Sequence, residues 1–113
     1  MKYLLMVCVD EAVELSPEEG TAVASATTAW VEEMDTRGVR LQGDRLRPIS
    51  DATTVRVRDG EVLVADGPFA ETKEQIAGID ILECADVAEA IEVASKHPVA
   101  RFGTIEVRPF WQP

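Results

Sequence analysis

Positive charge is scarce in this sequence: 11 Lys and Arg stand against 21 Asp and Glu, a formal charge of −10. Binding a polyanion needs a basic surface, so nucleic acid is excluded as a partner, and an anionic membrane surface is disfavoured for the same reason. Long hydrophobic runs are missing too. Nothing approaches the ~20 consecutive apolar residues of a membrane span. The apolar stretch Tyr3–Val9 lacks the flank and cleavage site of a secretory signal and reads as a strand, so a cytoplasmic protein is expected.

Metal and redox chemistry have little to work with. Cys8 and Cys84 are far apart, no C-x-x-C occurs, and His97 is the sole histidine. That set makes a poor metal site, and two buried, reduced thiols are the expectation, with no metal and no cofactor. There is no G-x-S-x-G elbow, no phosphate loop and no dinucleotide fingerprint, which leaves acyl, phosphoryl and hydride transfer unsupported.

What is present is enough for one domain spanning residues 1–113: 46% of the residues are hydrophobic and 28% are charged, too apolar a mixture for a disordered chain. Tyr3–Val9 is apolar on both alternating faces, which a half-solvated strand would not be, so it belongs at the centre of a sheet and covered on both sides. Ser16-Pro17-Glu18-Glu19 starts a helix: Ser16 as N-cap, Pro17 in the first turn, Glu19 closing a capping box. Val23, Ala26, Trp30 and Met34 then recur at helical spacing and predict the apolar face, with Gly38 at the end. Val39–Leu46 reads as a strand interrupted by Gly43.

Thr54–Val64 is the clearest local signal. Asp59-Gly60 predicts a two-residue type I′ hairpin turn. Its register opposes Arg58 to Glu61, Val57 to Val62, Arg56 to Leu63 and Val55 to Val64, placing four valines on one face. Asp66-Gly67-Pro68-Phe69 then breaks the strand, and Ala70–Gln75 is a short polar stretch with room for one helical turn. Ile76–Cys84 is a further strand. Asp86 to Glu89 forms a second capping box, opening a helix with Val87, Ala90, Ile91 and Ala94 inward, stopped at His97-Pro98. Gly103–Arg108 is the last strand.

The order β-α-β, hairpin, β-α-β predicts an α+β fold, the ferredoxin-like βαββαβ plan with an inserted hairpin. Two helices cover one sheet face only. A second copy packed sheet to sheet would cover the other, making a homodimer; a hairpin folded back over that face is the rival.

Several residues are candidates for chemistry. Asp66 is a candidate catalytic acid or base, with Gly67, Pro68, Phe69, Glu71, Lys73 and Glu74 as a ligand-binding rim. The same string also reads as a turn, with Asp66 bonding its own backbone and Lys73 paired at the surface. Asp80 is the second candidate catalytic residue. It falls on one strand face with Ile76, Leu82 and Cys84, and if that face points into a dimer interior its pKa rises. Alternatively it lies near an edge or pairs with an arginine such as Arg108, itself a candidate ligand-binding cation that shares a face with Glu106. His97 is placed to cap a helix C-terminus, where the dipole favours positive charge. Trp30 belongs to the core, and Trp111 is expected against a partner subunit.

The string Asp66-Gly67-Pro68-Phe69-Ala70-Glu71-Thr72-Lys73-Glu74 resembles the DGPF-domain proteins of the YCII-related superfamily. So do the Met1-Lys2-Tyr3 start, the Ser-Pro-Glu-Glu helix start and the Ile105-Glu106-Val107-Arg108-Pro109 ending. The resemblance implies a bacterial protein with a ferredoxin-like fold that dimerises into an α/β barrel, with no settled activity. It also implies an extracytoplasmic-function sigma factor as a companion. In the wider group a His–Asp pair is suspected of acid/base work, but the first helix here has no histidine, so that pair is not carried over. The leading expectation is therefore a small-molecule-binding or cofactor-free enzymatic pocket near the Asp66–Glu74 loop. The alternative is a regulatory module engaging a sigma factor through its acidic surface.

Overall fold

A computed structural model describes residues 1–112. The chain runs β1 (Lys2–Val9), α1 (Pro17–Thr36), β2 (Arg40–Arg45), a 3-10 turn (Ile49–Asp51), β3 (Thr53–Arg58), β4 (Glu61–Asp66), β5 (Gln75–Glu83), α2 (Val87–Ser95), a second 3-10 turn (Pro98–Arg101) and β6 (Thr104–Pro109). The fold is mixed α+β. Four strands form an open antiparallel sheet in the order β2-β5-β1-β6, and β3 and β4 form a separate two-stranded sheet. β1, apolar on both faces, is an interior strand between β5 and β6. Among the described residues no barrel closes.

Helix α1 begins where the sequence places it. Ser16 Oγ accepts from the Glu19 N–H at 3.1 Å, and Glu19 Oε1 accepts from the Ser16 N–H at 3.0 Å. Those bonds hold the Glu19 carboxyl below its ordinary range. Ser16→Ala is expected to cost about 1 kcal/mol, measured by denaturant unfolding. The helix ends at Arg37, and Gly38 follows with φ +72°, a conformation a side chain resists. The second box is half formed: Asp86 accepts from the Glu89 N–H, but Glu89 turns back to the Ala85 N–H rather than to Asp86.

The core lies between the helices and one sheet face, where Trp30, Met34, Ala90 and Val93 meet Tyr3, Leu5 and Leu82. Two helix faces differ from expectation. In α2 the buried residues are Ala90, Val93 and Ala94, while Val87 and Ile91 are exposed, a rotation of the face toward Val93. In α1 the core side is carried by Trp30 and Met34, and Ala26 is exposed. The N-terminal half of α1 offers only small or half-buried side chains to the sheet and packs less closely.

The hairpin has the register expected of its turn, from Arg58 opposite Glu61 to Val55 opposite Val64. Asp59 and Gly60 have φ 51° and 77°, the signs a type I′ turn demands. It does not fold back over the sheet: Val55, Val57, Val62 and Val64 are 57–64% exposed. The projecting arm contributes to a radius of gyration of 16.0 Å, where a compact chain of ~100 residues has about 13 Å. The Ala70–Gln75 stretch makes no helical turn. Its side chains bond nearby carbonyls instead, Gln75 Nε2 to Ala70 O at 3.0 Å and Thr72 Oγ1 to Glu74 O at 2.6 Å. No helix of the described residues is long and apolar enough to cross a membrane.

Candidate functional site

Glycine and alanine open a space between α1 and the sheet. On the helix, Gly20 and Ala24 face a cleft of about 640 Å³; on the strands, Gly43, Ala77 and Gly78 form part of its opposite wall. Val7, Val23, Trp30 and Val99 give it an apolar lining, and Asp80, Arg40 and His97 reach it as well. This is the size and character of a small-molecule site, an apolar hollow with a few convergent polar groups.

Asp80 lies opposite Leu5 and Gly43 in the sheet, so it points to the helix-covered face. A register shift in β5 pairs Ile76 with Cys8, which removes Ile76 from the face of Asp80 and Leu82. Asp80 is buried, its side chain 9% exposed, and its partner is Arg40 rather than Arg108. Arg40 Nε donates to Asp80 Oδ1 at 2.8 Å, NH2 donates to Gly43 O at 2.8 Å, and NH1 donates to Asp35 Oδ1 at 3.3 Å. Gly43 makes the arrangement sterically feasible: a Cβ there would overlap Asp80 Oδ1 and stand 2.6 Å from Ile79 O. Glycine within a strand is the residue for such a close approach.

Burial raises the Asp80 carboxyl above its ordinary range; the bond and charge of Arg40 oppose that, while Asp35 and Asp44 add to it. Asp80 Oδ2 has no protein donor among the described residues. No fully buried side-chain N or O there lacks a partner, so Oδ2 keeps some exposure, and Asp80 is among the residues that line the cleft.

His97 is buried and caps the second 3-10 turn, with Nδ1 accepting from the Val99 N–H at 3.1 Å. This bond requires an unprotonated Nδ1, so the neutral ring carries its proton on Nε2. Nε2 has no protein partner among the described residues and keeps some exposure, and His97 is among the residues that line the cleft. The ring stands edge-on to Trp30, centroids 4.7 Å apart, and Trp30 Nε1 donates to Val93 O at 3.0 Å. The expected charge-favouring helix terminus is overridden: burial pushes His97 below its ordinary 6.5.

The sign of the consequence is definite. A lowered folded pKa means that the unfolded chain takes up the proton more readily, so stability is full above the unfolded pKa of about 6.5 and declines as pH falls through it. Melting curves from about pH 8 to about pH 5 are expected to show this decline. A His97→Asn variant, which retains an acceptor for the Val99 N–H, should flatten it; an unchanged slope would assign the loss to other groups.

The residues singled out around Asp66 lie elsewhere. Asp66 is exposed at the end of β4, opposite Thr53. Gly67 has φ +93°, donates its N–H to Ala52 O at 2.8 Å and accepts from Thr54 Oγ1 at 2.7 Å, which ties the loop to the hairpin base. Pro68 is half-buried, Phe69 is 80% exposed, and Glu71 and Lys73 are exposed. Glu74 accepts from Thr104 Oγ1 at 3.2 Å. None of Asp66 to Glu74 lines the α1–sheet cleft or the smaller hollow beside Lys2 and Phe110. Arg108 pairs with Glu106 on β6, and Trp111 is 99% exposed.

Sequence reasoning missed Arg40 and Asp44, and took Gly43 only as an interruption. The available signal was that glycine: in mid-strand it marks a place where another group comes close.

The arrangement defines a small α+β domain with a cleft between a helix and an antiparallel sheet. The chain belongs to the YCII-related domain family, which it matches over residues 1–112. It is also 37% identical to an uncharacterized protein of Rhizobium meliloti (strain 1021), the alignment covering 75% of this chain and 82% of that protein.

Proposed function

We propose that this chain binds a small organic molecule in the cleft between the N-terminal half of α1 and the sheet. The observation that supports this reading most is the pairing of two free polar atoms, Asp80 Oδ2 and His97 Nε2, with apolar walls in one hollow. Polar atoms that reach an apolar hollow are ready partners for the polar groups of a ligand. Asp80 is the group suited to proton transfer there, because its raised pKa makes it a better base than an ordinary carboxylate. Arg40 fixes one carboxylate oxygen and leaves the other available.

The working unit is a homodimer of ferredoxin-like subunits. In support, the strand order β2-β5-β1-β6 with both helices on one face fits that plan. The other face carries Leu4, Met6, Ile79 and Ile81 in paired register with no helix over them. An apolar sheet face of this kind calls for a second layer. Light scattering is expected to give twice the chain mass, reduced to the chain mass in Ile81→Lys; a monomeric wild type would defeat the dimer.

A thermal-shift screen of aromatic fragments tests the cleft. A ligand at 100 times its Kd stabilises by about 2.7 kcal/mol, on the order of 10 °C for a domain of this size. Hits are expected to vanish in Ala24→Trp, which fills the cleft from an exposed helix position. Hits that survive there but vanish in Asp66→Ala would move the site to the Asp66–Glu74 loop.

A further inference from the structure

We propose that the cleft selects a small ammonium that also carries a hydrogen-bond-accepting oxygen on an apolar body, and that it rejects carboxylates and phosphates. This rests on the cleft being the binding site. Its lining carries four carboxylates, Asp10, Glu11, Asp44 and Asp80, against two guanidiniums, Arg40 and Arg45. Arg40 is already committed to Asp80, Asp35 and Gly43 O, so it offers an incoming anion little. Arg45 is exposed, where solvent and salt weaken its pull.

As charges Asp80 and Arg40 largely cancel, so the remaining balance of the lining is three carboxylates, Asp10, Glu11 and Asp44, against Arg45, with Asp80 Oδ2 as the carboxylate oxygen that Arg40 leaves unbonded. That net negative lining favours a cation over an anion, and a carboxylate oxygen is a strong acceptor for the N–H groups of an ammonium. The second free atom has the opposite hydrogen-bonding character. With Nδ1 held by the Val99 N–H, neutral His97 presents Nε2–H, a donor that calls for a hydroxyl or carbonyl oxygen. Val7, Val23 and Trp30 supply the apolar contact for the rest of the molecule.

Four probes on one skeleton separate these features: phenylethanolamine, phenethylamine without the hydroxyl, the neutral styrene glycol, and the anionic mandelate. Binding is measured by calorimetry at fixed salt, with amide and indole NMR shifts locating each probe. Phenylethanolamine is expected to bind about tenfold tighter than phenethylamine and about tenfold tighter than styrene glycol, with mandelate weakest. Asp80→Asn should erase the preference for the amine over the glycol. Should that variant fail to fold, Asp44→Asn, at an exposed position on the lining, should narrow the preference.

Tightest binding by mandelate, lost in Arg45→Gln, would overturn the proposed class while leaving the cleft as the site. Amine preference unchanged in Asp80→Asn and in Asp44→Asn would overturn the electrostatic argument. Absence of any shift at cleft residues with all four probes would overturn the cleft itself as a binding site.

Discussion

Gly43→Ala is expected to destabilise the fold by about 3 kcal/mol, at the upper end of ordinary overpacking penalties. For a domain of this size that is a drop in Tm on the order of 10–20 °C. The added Cβ would overlap Asp80 Oδ1 and lie 2.6 Å from Ile79 O and 2.7 Å from Asp80 Cγ. A side-chain tip alone could swing aside. Here a backbone carbonyl of β5 blocks as well, so β2 must shift relative to β5 or Asp80 must leave its bond with Arg40. Either route disturbs the site along with the stability. By contrast Gly20→Ala meets nothing within 4 Å and sits in a helix, where alanine is the better residue. Thermal melts of the two variants side by side should move in opposite directions, and a neutral Gly43→Ala would show that the Asp80 slot is not tight.

Arg40→Met carries the second large effect. Removing one member of a buried ion pair typically costs about 3–5 kcal/mol, because the remaining charge loses its partner. The Arg40 side chain is 13% exposed and that of Asp80 is 9% exposed, but both line the cleft, so solvent makes up part of the loss and the lower end of that range is expected. The variant should also change the pH profile. Without the guanidinium the folded pKa of Asp80 rises further above its ordinary value, so the folded state binds the proton more tightly than the unfolded chain. Stability contributed by protonated Asp80 is then full below the unfolded pKa and declines as pH rises through the folded one. Arg40→Met should therefore recover stability on acidification in a window where the His97 effect pulls the other way. Chemical denaturation across that range checks it, and Arg40→Met/Asp80→Leu, which removes both charges, should regain much of the loss.

Much of the architecture was legible because local chemistry and burial agreed. Ser16 and Glu19 cap α1 reciprocally, Asp59-Gly60 sets the hairpin register, and the double apolar pattern of Tyr3–Val9 places β1 inside the sheet. The helix faces were less legible. A spacing rule counts Val87 and Ile91 as readily as Val93, and only the docking of α2 on Trp30 decides between them. The arm was legible in register but not in placement, since a hairpin's own sequence does not say what it packs against.

Of the candidate site, one central residue was legible. Asp80 stands out as a carboxylate among Ile79, Ile81 and Leu82, but its partner Arg40 lies 40 positions away, across a β2–β5 pairing whose register shifts between Arg40 and Gln42. No local pattern encodes that pairing. His97 was read from its helix end, whereas its protonation is governed by burial against Trp30 and the bond to the Val99 N–H. The conspicuous Asp66–Glu74 string drew attention by its turn chemistry. Its backbone bonds at Gly67 account for that chemistry at the base of the hairpin.

The most direct test of the cleft as the ligand site is a two-dimensional NMR titration of the labelled protein with phenylethanolamine and a neutral fragment mixture. Saturable shifts are predicted for the Trp30 indole N–H and for the backbone amides of Gly43, Gly78 and Val99, with Gly67 and Glu71 unmoved. Shifts centred on Gly67 to Glu74 with the cleft residues silent would contradict the account and return the site to the loop after the hairpin.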